Sequence, residues 1–595
     1  MINMKLKFIC LSLIIASLTT GCFFSGGSSS NNYLKADGNV YSMIDVTSST
    51  TNYSQIKSGT VNYCYKNNEE LVPFVSLKQF EKIYHSQFVS GVSSKVSSYQ
   101  STSTWQVSTQ EGLVFASQID YAKKEIYMAG SLSAAMRGYD YSGTTLEYAL
   151  TSDYEILKTI KNYQVFSYAN MGFSQYMNDD VYYLPLSIYD INYSKSSGLY
   201  VYYSYKDFYV FNDSQSLSDV SLKKGSTKIS PFGEAKQIAD THEIMPEYLR
   251  KYNQSSLYFI FENFYGIKST RGISSMKSYI DGQHLDFLSE SSDARSRALS
   301  QLVSNLNDGH TAIGNPATVW SETKYPNTGE LATKMAQTYS EIGNYRRIAL
   351  NNYDCDHPEE DLASTDPTNK RVRYSDDKKL AFFCFDSFDI CMDAYTSDGK
   401  IKSNAYLEDS FLYFLHQFNE ISKYPTVEDV VIDISMNGGG YLASLAKVLA
   451  LLTVDNKGII DEYIEGEYVI RNVFSVDSNQ DGKYNEQDVY GSKYNFYILT
   501  SGYSYSCGNA LPCLAQRQGI AKVIGETSGG GECSVDGSLL PNGQFLHHSS
   551  LTHIISYENN SIHGVEQGCD VASSHQIPYS AYYDFNYLED FIKTI

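Results

Sequence analysis

The spacing of apolar and polar positions changes character twice along this chain. From Tyr33 to about Pro231, short runs rich in Tyr, Val and Ser read as strands. Glu70-Leu-Val-Pro-Phe-Val-Ser-Leu77 has an echo in Tyr182-Tyr-Leu-Pro-Leu-Ser-Ile188, and each is followed by further aromatic runs. This repeat predicts two tandem α+β or β-rich modules over 34–231. From Phe232 the period becomes helical, with segments at Met245–Tyr265, Ile273–Phe287 and Asp293–Leu306. The last places Ala298, Leu299, Leu302, Val303 and Leu306 on one face and stops at Asn307-Asp-Gly-His-Thr311. A cap over 232–330 is expected to end there, with Gly309 giving the backbone freedom for a sharp exit. The stretch from Gly314 to Asp377 is polar and reads as loop.

An α/β pattern follows, and 331–595 is expected to form the core. Lys379–Phe385 and Asp429–Ile434 read as buried strands, and Phe411–Ile421 and Leu442–Leu452 as helices. Between the second strand and its helix stands the turn Met436-Asn-Gly-Gly-Gly440. Strand, glycine turn, helix is the unit of a largely parallel sheet. A third strand, Phe496–Leu499, leads through small and polar residues to Ser506, after which Ala510, Leu511, Leu514 and Ala515 recur at helical spacing.

The chain of 595 residues is too long for one ordinary core, and two to four domains are expected. Its formal charge of −21 argues against nucleic acid and against electrostatic binding to an anionic membrane face. The N-terminus changes the picture more. Lys5 and Lys7 precede an apolar run from Phe8 to Leu18, so residues 1–21 read as a secretory signal peptide. Gly21-Cys22 resembles a bacterial lipoprotein processing site, with Thr19 where an aliphatic residue is usual. Lipidation of Cys22, a flexible tether over 22–33, and an exported protein on the outer face of the cell membrane are the resulting expectations. The cysteines beyond the leader are Cys64, Cys355, Cys384, Cys391, Cys507, Cys513, Cys533 and Cys569. They show no Cys-x-x-Cys pair, so neither a zinc site nor a disulfide scaffold is indicated; one or two disulfides are possible, without assignment.

Three residues carry candidate chemistry. Ser506 sits where a strand turns into a helix, near free N–H groups that favour developing negative charge, although such serines also serve as plain caps. The glycine turn lacks both the Lys-Ser/Thr ending of a phosphate loop and the spacing of a dinucleotide fingerprint, which favours an oxyanion role. His310 follows the cap helix, and Glu566 lies between Val565 and Gly568; taken alone, each reads more readily as a surface, structural or turn residue than as a catalytic one. A separate motif spans 477–488. Asp477, Asn479, Asp481, Asn485 and Asp488 place oxygens at calcium-loop positions 1, 3, 5, 9 and 12, with Gly482 at 6 and the Lys483 backbone at 7. Aspartate replaces the usual final glutamate. A structural Ca2+ that stiffens this insertion is expected.

Taken together, Val430-Val-Ile-Asp-Ile-Ser-Met-Asn-Gly-Gly-Gly440, Ser504-Tyr-Ser-Cys-Gly-Asn509 and Lys522-Val-Ile-Gly-Glu-Thr-Ser-Gly-Gly-Gly531 resemble the core of the tail-specific, or C-terminal processing, serine peptidases. The resemblance covers roughly Phe232 to the C-terminus. It implies a twisted α/β core related to the crotonase and Clp protease folds, beneath a helical cap. One branch of the family uses a Ser–Lys dyad from a Thr-x-Gly-Lys-Gly motif; here that motif reads Thr527-Ser-Gly-Gly-Gly531, with glycine at the lysine position. The other branch, that of the tricorn core, uses Ser, His and Glu. By that resemblance Ser506 is the nucleophile, His310 its base and Glu566 the orienting carboxylate. The same resemblance implies an oxyanion hole from the backbone N–H groups of Gly439 and Cys507, with Gly438 a further donor. A PDZ module, common in the family, has no room between His310 and Lys379. The expected activity is that of an exported serine endopeptidase acting on proteins or peptides. The alternative is a catalytically silent binding protein on a peptidase frame.

Overall fold

The computed structural model of the chain describes residues 32–44, 54–133, 135–136, 150–212, 222–224, 227–229, 243–314, 320, 323, 325–356, 371–391, 394 and 401–595. The expected leader, Cys22 and the tether as far as Asn31 lie outside the described residues, as does the side chain of Cys355. Among the described residues no helix is long and apolar enough to cross a membrane.

The two echoes in the N-terminal half do not build two tandem modules. Each ends in a short strand, Phe74–Val75 or Val181–Pro185, and runs into a helix, Leu77–Tyr84 or Leu186–Ser197. The strands pair with each other, Leu184 opposite Val75 and Pro185 opposite Phe74, inside one seven-stranded sheet. Strands of two to five residues cannot stand alone in water, so the halves share a sheet. A second, antiparallel sheet of five strands runs from Ser93–Tyr99 to Gln164–Ser167. Its Trp105 is fully buried against Phe80 and Tyr193.

The described residues on either side of 231 share one core. One apolar cluster runs from Val40 through Tyr193, Phe259 and Leu306 and takes in Leu539, Leu540 and Leu546 from the far end of the chain. Two cap helices match their expected spans closely, Glu247–Phe264 and Ser292–Leu306. The third is shorter, Met276–Gly282. The expected loop after Gly314 instead contains a helix at Glu330–Asp356. Its apolar face is sparse: Ile342 and Leu350 are buried, whereas Tyr339, Tyr345 and Ile348 stay exposed. Such a narrow stripe gives little helical period to read.

The core sheet has the order Arg373–Tyr374, Leu380–Cys384, Asp429–Asp433, Asn495–Thr500, Ala521–Gly525. Its last four strands are parallel, with Leu380 opposite Asp429, Asp429 opposite Asn495 and Phe496 opposite Ala521. Parallel strands are covered on both faces, which is why they read as unbroken apolar runs. Ser410–Ile421, Leu442–Leu451 and Cys507–Arg517 supply helices of the associated cluster. Because the strands run the same way, the segments after Asp433, Thr500 and Gly525 leave at one edge, the carboxyl edge where open α/β sheets place ligands. A fourth sheet is built on the long strand Phe545–Glu558, which pairs with Ala312–Ile313, Gly458–Ile464, Cys533–Leu539 and Ser561–Gly564. It fastens the segment after His310 and the strand before Glu566 to one backbone.

Candidate active site

Ser506 has φ +56° and ψ −124°, a backbone conformation that L residues avoid, at the N-cap of the helix Cys507–Arg517. Such a conformation costs about 1–3 kcal/mol and persists only when surrounding bonds enforce it. Those bonds are present. Tyr505 N–H donates to Asn437 O at 3.0 Å and Ser506 N–H to Gly530 O at 3.0 Å, while Ser506 O accepts from Asn509 and Ala510. The result is a sharp strand-to-helix elbow of the kind that exposes a nucleophilic hydroxyl. Cys507 cannot take that part. Its thiol is buried, donates to Gly440 O, and burial pushes its pKa up to about 12.

The glycine turn packs directly on this elbow. A Cβ on Gly439, whose φ is +112°, would lie 2.7 Å from Ser506 Cβ and 3.1 Å from Ser506 Oγ. Asn437 fixes the turn. Its Oδ1 accepts the Gly439 N–H at 2.8 Å, its Nδ2 donates to Phe385 O at 3.0 Å, and its carbonyl holds Tyr505. The expectation that Gly439 is a free oxyanion donor is therefore corrected, because an Asx turn consumes its N–H. Among the described residues, the Gly438 and Cys507 N–H groups donate to nothing.

His310 leaves the cap helix after Asn307, which takes a left-handed φ of +50°. Asp308 shapes the turn: Oδ1 accepts His310 N–H at 3.0 Å, and Oδ2 accepts the hydroxyls of Thr311 and Ser549 at 2.6 and 2.9 Å. The His310 ring lies 5.0 Å from that of Tyr505, whose hydroxyl accepts Gly309 N–H at 3.1 Å. Both ring nitrogens of His310 are buried with no hydrogen-bond partner. Burial lowers the pKa of the ring, and Asp308 partly offsets this. A buried imidazole with two unsatisfied nitrogens is costly, and it leaves the His310 ring with open bonding capacity.

Glu566 follows the strand Ser561–Gly564. Its Oε2 accepts Glu532 N–H at 3.0 Å, and its Oε1 lies 3.6 Å from Arg271 Nη2. Glu532 answers by accepting the N–H groups of Val565 and Glu566 at 2.9 and 3.0 Å, and its other oxygen pairs with His553 Nδ1 at 2.8 Å. Burial, reinforced by Asp308 and Glu532, raises the pKa of Glu566 to about 7. The structure thus brings Ser506 to the glycine turn, His310 to Tyr505 and Glu566 to Arg271. Ser506, His310 and Glu566 make no hydrogen bond to one another.

The raised pKa of Glu566 has a definite sign. The carboxyl ionises near 4.5 when unfolded and near 7 when folded, so folding favours the protonated form. Stability from this group is full below pH 4.5 and declines as pH rises to about 7. Glu566→Gln is expected to remove that decline, measured by denaturant melts at pH 4.5 and 7.5.

Gly530 explains why a lysine is missing from the Thr527-Ser-Gly-Gly-Gly531 segment. With φ +88°, it faces the Glu566 backbone so closely that a Cβ would meet Glu566 O at 2.1 Å. A lysine there and Glu566 in its observed place exclude each other. Tyr505, Asn437 and Arg271 carry no sequence signal of their own, whereas Asp308 belongs to the Asp-Gly-His element that marks His310. Asn437 and Tyr505 stand inside the quoted motifs, and Asp308 two residues before His310, but only their contacts reveal what they do.

A cleft of about 980 Å³ opens beside Glu566, lined among others by Arg271, Asn307, Lys334, Glu526 and Tyr579. In the 477–488 loop, the N–H groups of Asp481, Gly482 and Lys483 donate to the side chains of Asp477, Asn479 and Asp481. Buried Asp488 accepts from Ser478, Asn479 and Asn485. The all-oxygen set and Gly482 at φ +77° suit a hard cation. Among the described residues, Glu532, Cys533 and His553 are the trio whose metal-type donor atoms converge within 4.8 Å. They already satisfy one another, since His553 pairs with Glu532 and lies 3.5 Å from the Cys533 thiol.

Residues 400–570 match the sequence model of peptidase family S41. Comparison with curated protein sequences gave no significant match. Among solved structures, the chain is similar to a candidate peptidase from Parabacteroides merdae at 14% identity and TM-score 0.36, over 54% of this chain and 88% of that one. It is also similar to mature CPAF complexed with lactacystin, at 12% identity and TM-score 0.36, over 58% and 98% of the two chains. Against the tricorn protease the identity is 9% and the TM-score 0.31, over 94% of this chain and 55% of that one. His310 lies outside the matched segment, whereas the glycine turn, Ser506 and Glu566 lie within it. Over residues 400–570, the chain is thus similar to peptidase family S41.

Proposed function

We propose that this protein is an exported serine endopeptidase whose Ser506 attacks the scissile carbonyl, with His310 as base and Glu566 as orienting carboxylate. The observation that carries the reading is the Ser506 elbow, strained at φ +56° and pressed against Gly439. A serine hydroxyl is a weak nucleophile at neutral pH and needs a base to take its proton during attack. His310 suits this role because burial keeps the ring neutral and both nitrogens are unsatisfied. Engagement with Ser506 and Glu566 then calls for a side-chain rearrangement as substrate fills the site. Glu566, once ionised, holds the ring tautomer and stabilises the imidazolium. Cys507 and Gly438 offer uncommitted N–H groups for the tetrahedral oxyanion; one such donor contributes about 3 kcal/mol. The cleft beside Glu566 receives the peptide.

The test is labelling of protein that begins at Tyr33 with a fluorophosphonate, followed by peptide mapping. Adduct on Ser506 is expected; adduct confined to another serine overturns the assignment. A silent binding protein is the second reading, favoured by the missing hydrogen bonds among the three side chains, and complete failure to label folded protein supports it. Lipidation at Cys22 and attachment to the outer face of the membrane complete the proposal, on the strength of the N-terminal sequence alone.

Calcium in the 477–488 loop belongs to the same proposal, with ligands from Asp477, Asn479, Asp481, the Lys483 carbonyl, Asn485 and Asp488. Saturating Ca2+ is expected to raise Tm by several degrees over EDTA, and Asp477→Ala to abolish the difference. Equal melting curves in Ca2+ and EDTA remove calcium from the account.

A further inference from the structure

Two buried thiols close to the site have no part in this chemistry. Cys513 lies on the helix that begins just after Ser506, and Cys569 lies three residues beyond Glu566; each is 3% exposed. They share a small apolar cluster with Val523, Val565 and Val571. Polar contacts fix their mutual position. Cys513 Sγ is 3.6 Å from Asn509 Oδ1, and Ser528 Oγ donates to that same oxygen at 2.7 Å. Ser528 Oγ in turn accepts Cys569 N–H at 2.6 Å. Cys569 Sγ lies 3.6 Å from Gln516 Oε1, and Gln516 is one turn from Cys513 on the same helix face. The two thiols thus sit in one cluster, tied by a short polar chain through Asn509 and Ser528.

We propose that Cys513 and Cys569 form a disulfide that latches the Glu566 loop to the helix of Ser506. The loop already docks there through Asn509 Nδ2, which donates to Val565 O at 2.9 Å. The covalent bond makes that docking permanent and fixes the spacing of nucleophile and carboxylate. The oxidant is a small or protein disulfide. One cysteine thiolate attacks it, forming a mixed disulfide and expelling one external thiol; the second cysteine thiolate then attacks the sulfur of the first cysteine and expels the other external thiol. Two protein S–H bonds and one external S–S bond are lost, while one protein S–S bond and two external S–H bonds form. Two electrons pass to the external disulfide. Because both thiols are buried, the exchange belongs to the folding chain rather than the finished protein. The proposal rests on the exported reading only for where the oxidant is met.

The experiment is refolding of the protein in a glutathione redox buffer, alkylation of remaining thiols, and digestion without reductant. A peptide pair joining Cys513 to Cys569 that disappears on reduction is expected. Alkylation of both thiols after refolding, or their linkage to other cysteines, overturns the disulfide. Hydrogen exchange tests the latch: amides of Val565–Cys569 are expected to exchange several-fold more slowly in the oxidised protein. Cys513→Ser should exchange at the reduced rate. Equal rates in oxidised and reduced protein overturn the latch. None of these readouts needs peptidase activity, so they fail or succeed independently of the serine assignment.

Discussion

Ser506→Ala is expected to lose all fluorophosphonate labelling and to lower turnover of an unfolded protein such as casein by about 10⁴–10⁶-fold. The elbow at Ser506 leaves no substitute for it, since the adjacent Cys507 thiol is buried and bonded to Gly440 O. His310→Ala is expected to come close to the same loss, because nucleophile and base act as one unit and their effects do not add. Stability separates these effects from misfolding. Removing the Ser506 hydroxyl leaves the elbow bonds from Tyr505 and Ser506 N–H untouched, so the melting temperature should stay within a few degrees of the parent. Removing the His310 ring withdraws two unsatisfied buried nitrogens, yet it also opens space beside Tyr505. Turnover that survives Ser506→Ala would place the chemistry elsewhere. Labelling that survives His310→Ala would leave Ser506 as nucleophile and take the base away from His310.

Gly439→Ala is expected to rank second, with a loss of at least 100-fold in kcat and of about 1–3 kcal/mol in stability. The added Cβ would lie 2.7 Å from Ser506 Cβ and 3.0 Å from Tyr505 O, and the backbone there has φ +112°. Either the turn or the elbow must shift, and both lie beside the position of the developing oxyanion. Gly466→Ala is a suitable control: it also has a positive φ, +80°, but nothing lies within 4 Å of its added Cβ. It should show the backbone cost alone, with turnover intact. A Gly439→Ala enzyme with parental kcat would show that the glycine turn is not part of the oxyanion machinery.

The same contacts separate what the sequence holds from what it does not. The parallel strands and their helices were legible because burial on both faces writes itself as apolar runs such as Lys379–Phe385. The cap helices were legible because a helix packed on one side carries a 3.6-residue period. Ser506, His310 and Glu566 could be picked out as candidates, because the motifs around them have a recognisable order. The helix Glu330–Asp356 was missed because few of its positions are buried. The single N-terminal sheet was missed because strand pairing is a long-range choice: Val75 meets Leu184 across more than a hundred residues, and no local pattern records it.

The chain order of residues therefore determined the fold class, the motifs and the absence of a lysine at Gly530. Tertiary structure alone decided that Gly439 gives its N–H to Asn437, that Glu566 is buried beside Arg271 with a raised pKa, and that Cys513 meets Cys569. The reason is physical. Hydrophobic period and backbone preference act between neighbours and are written locally, whereas desolvation, hydrogen-bond partnership and steric exclusion arise between segments that only folding brings together.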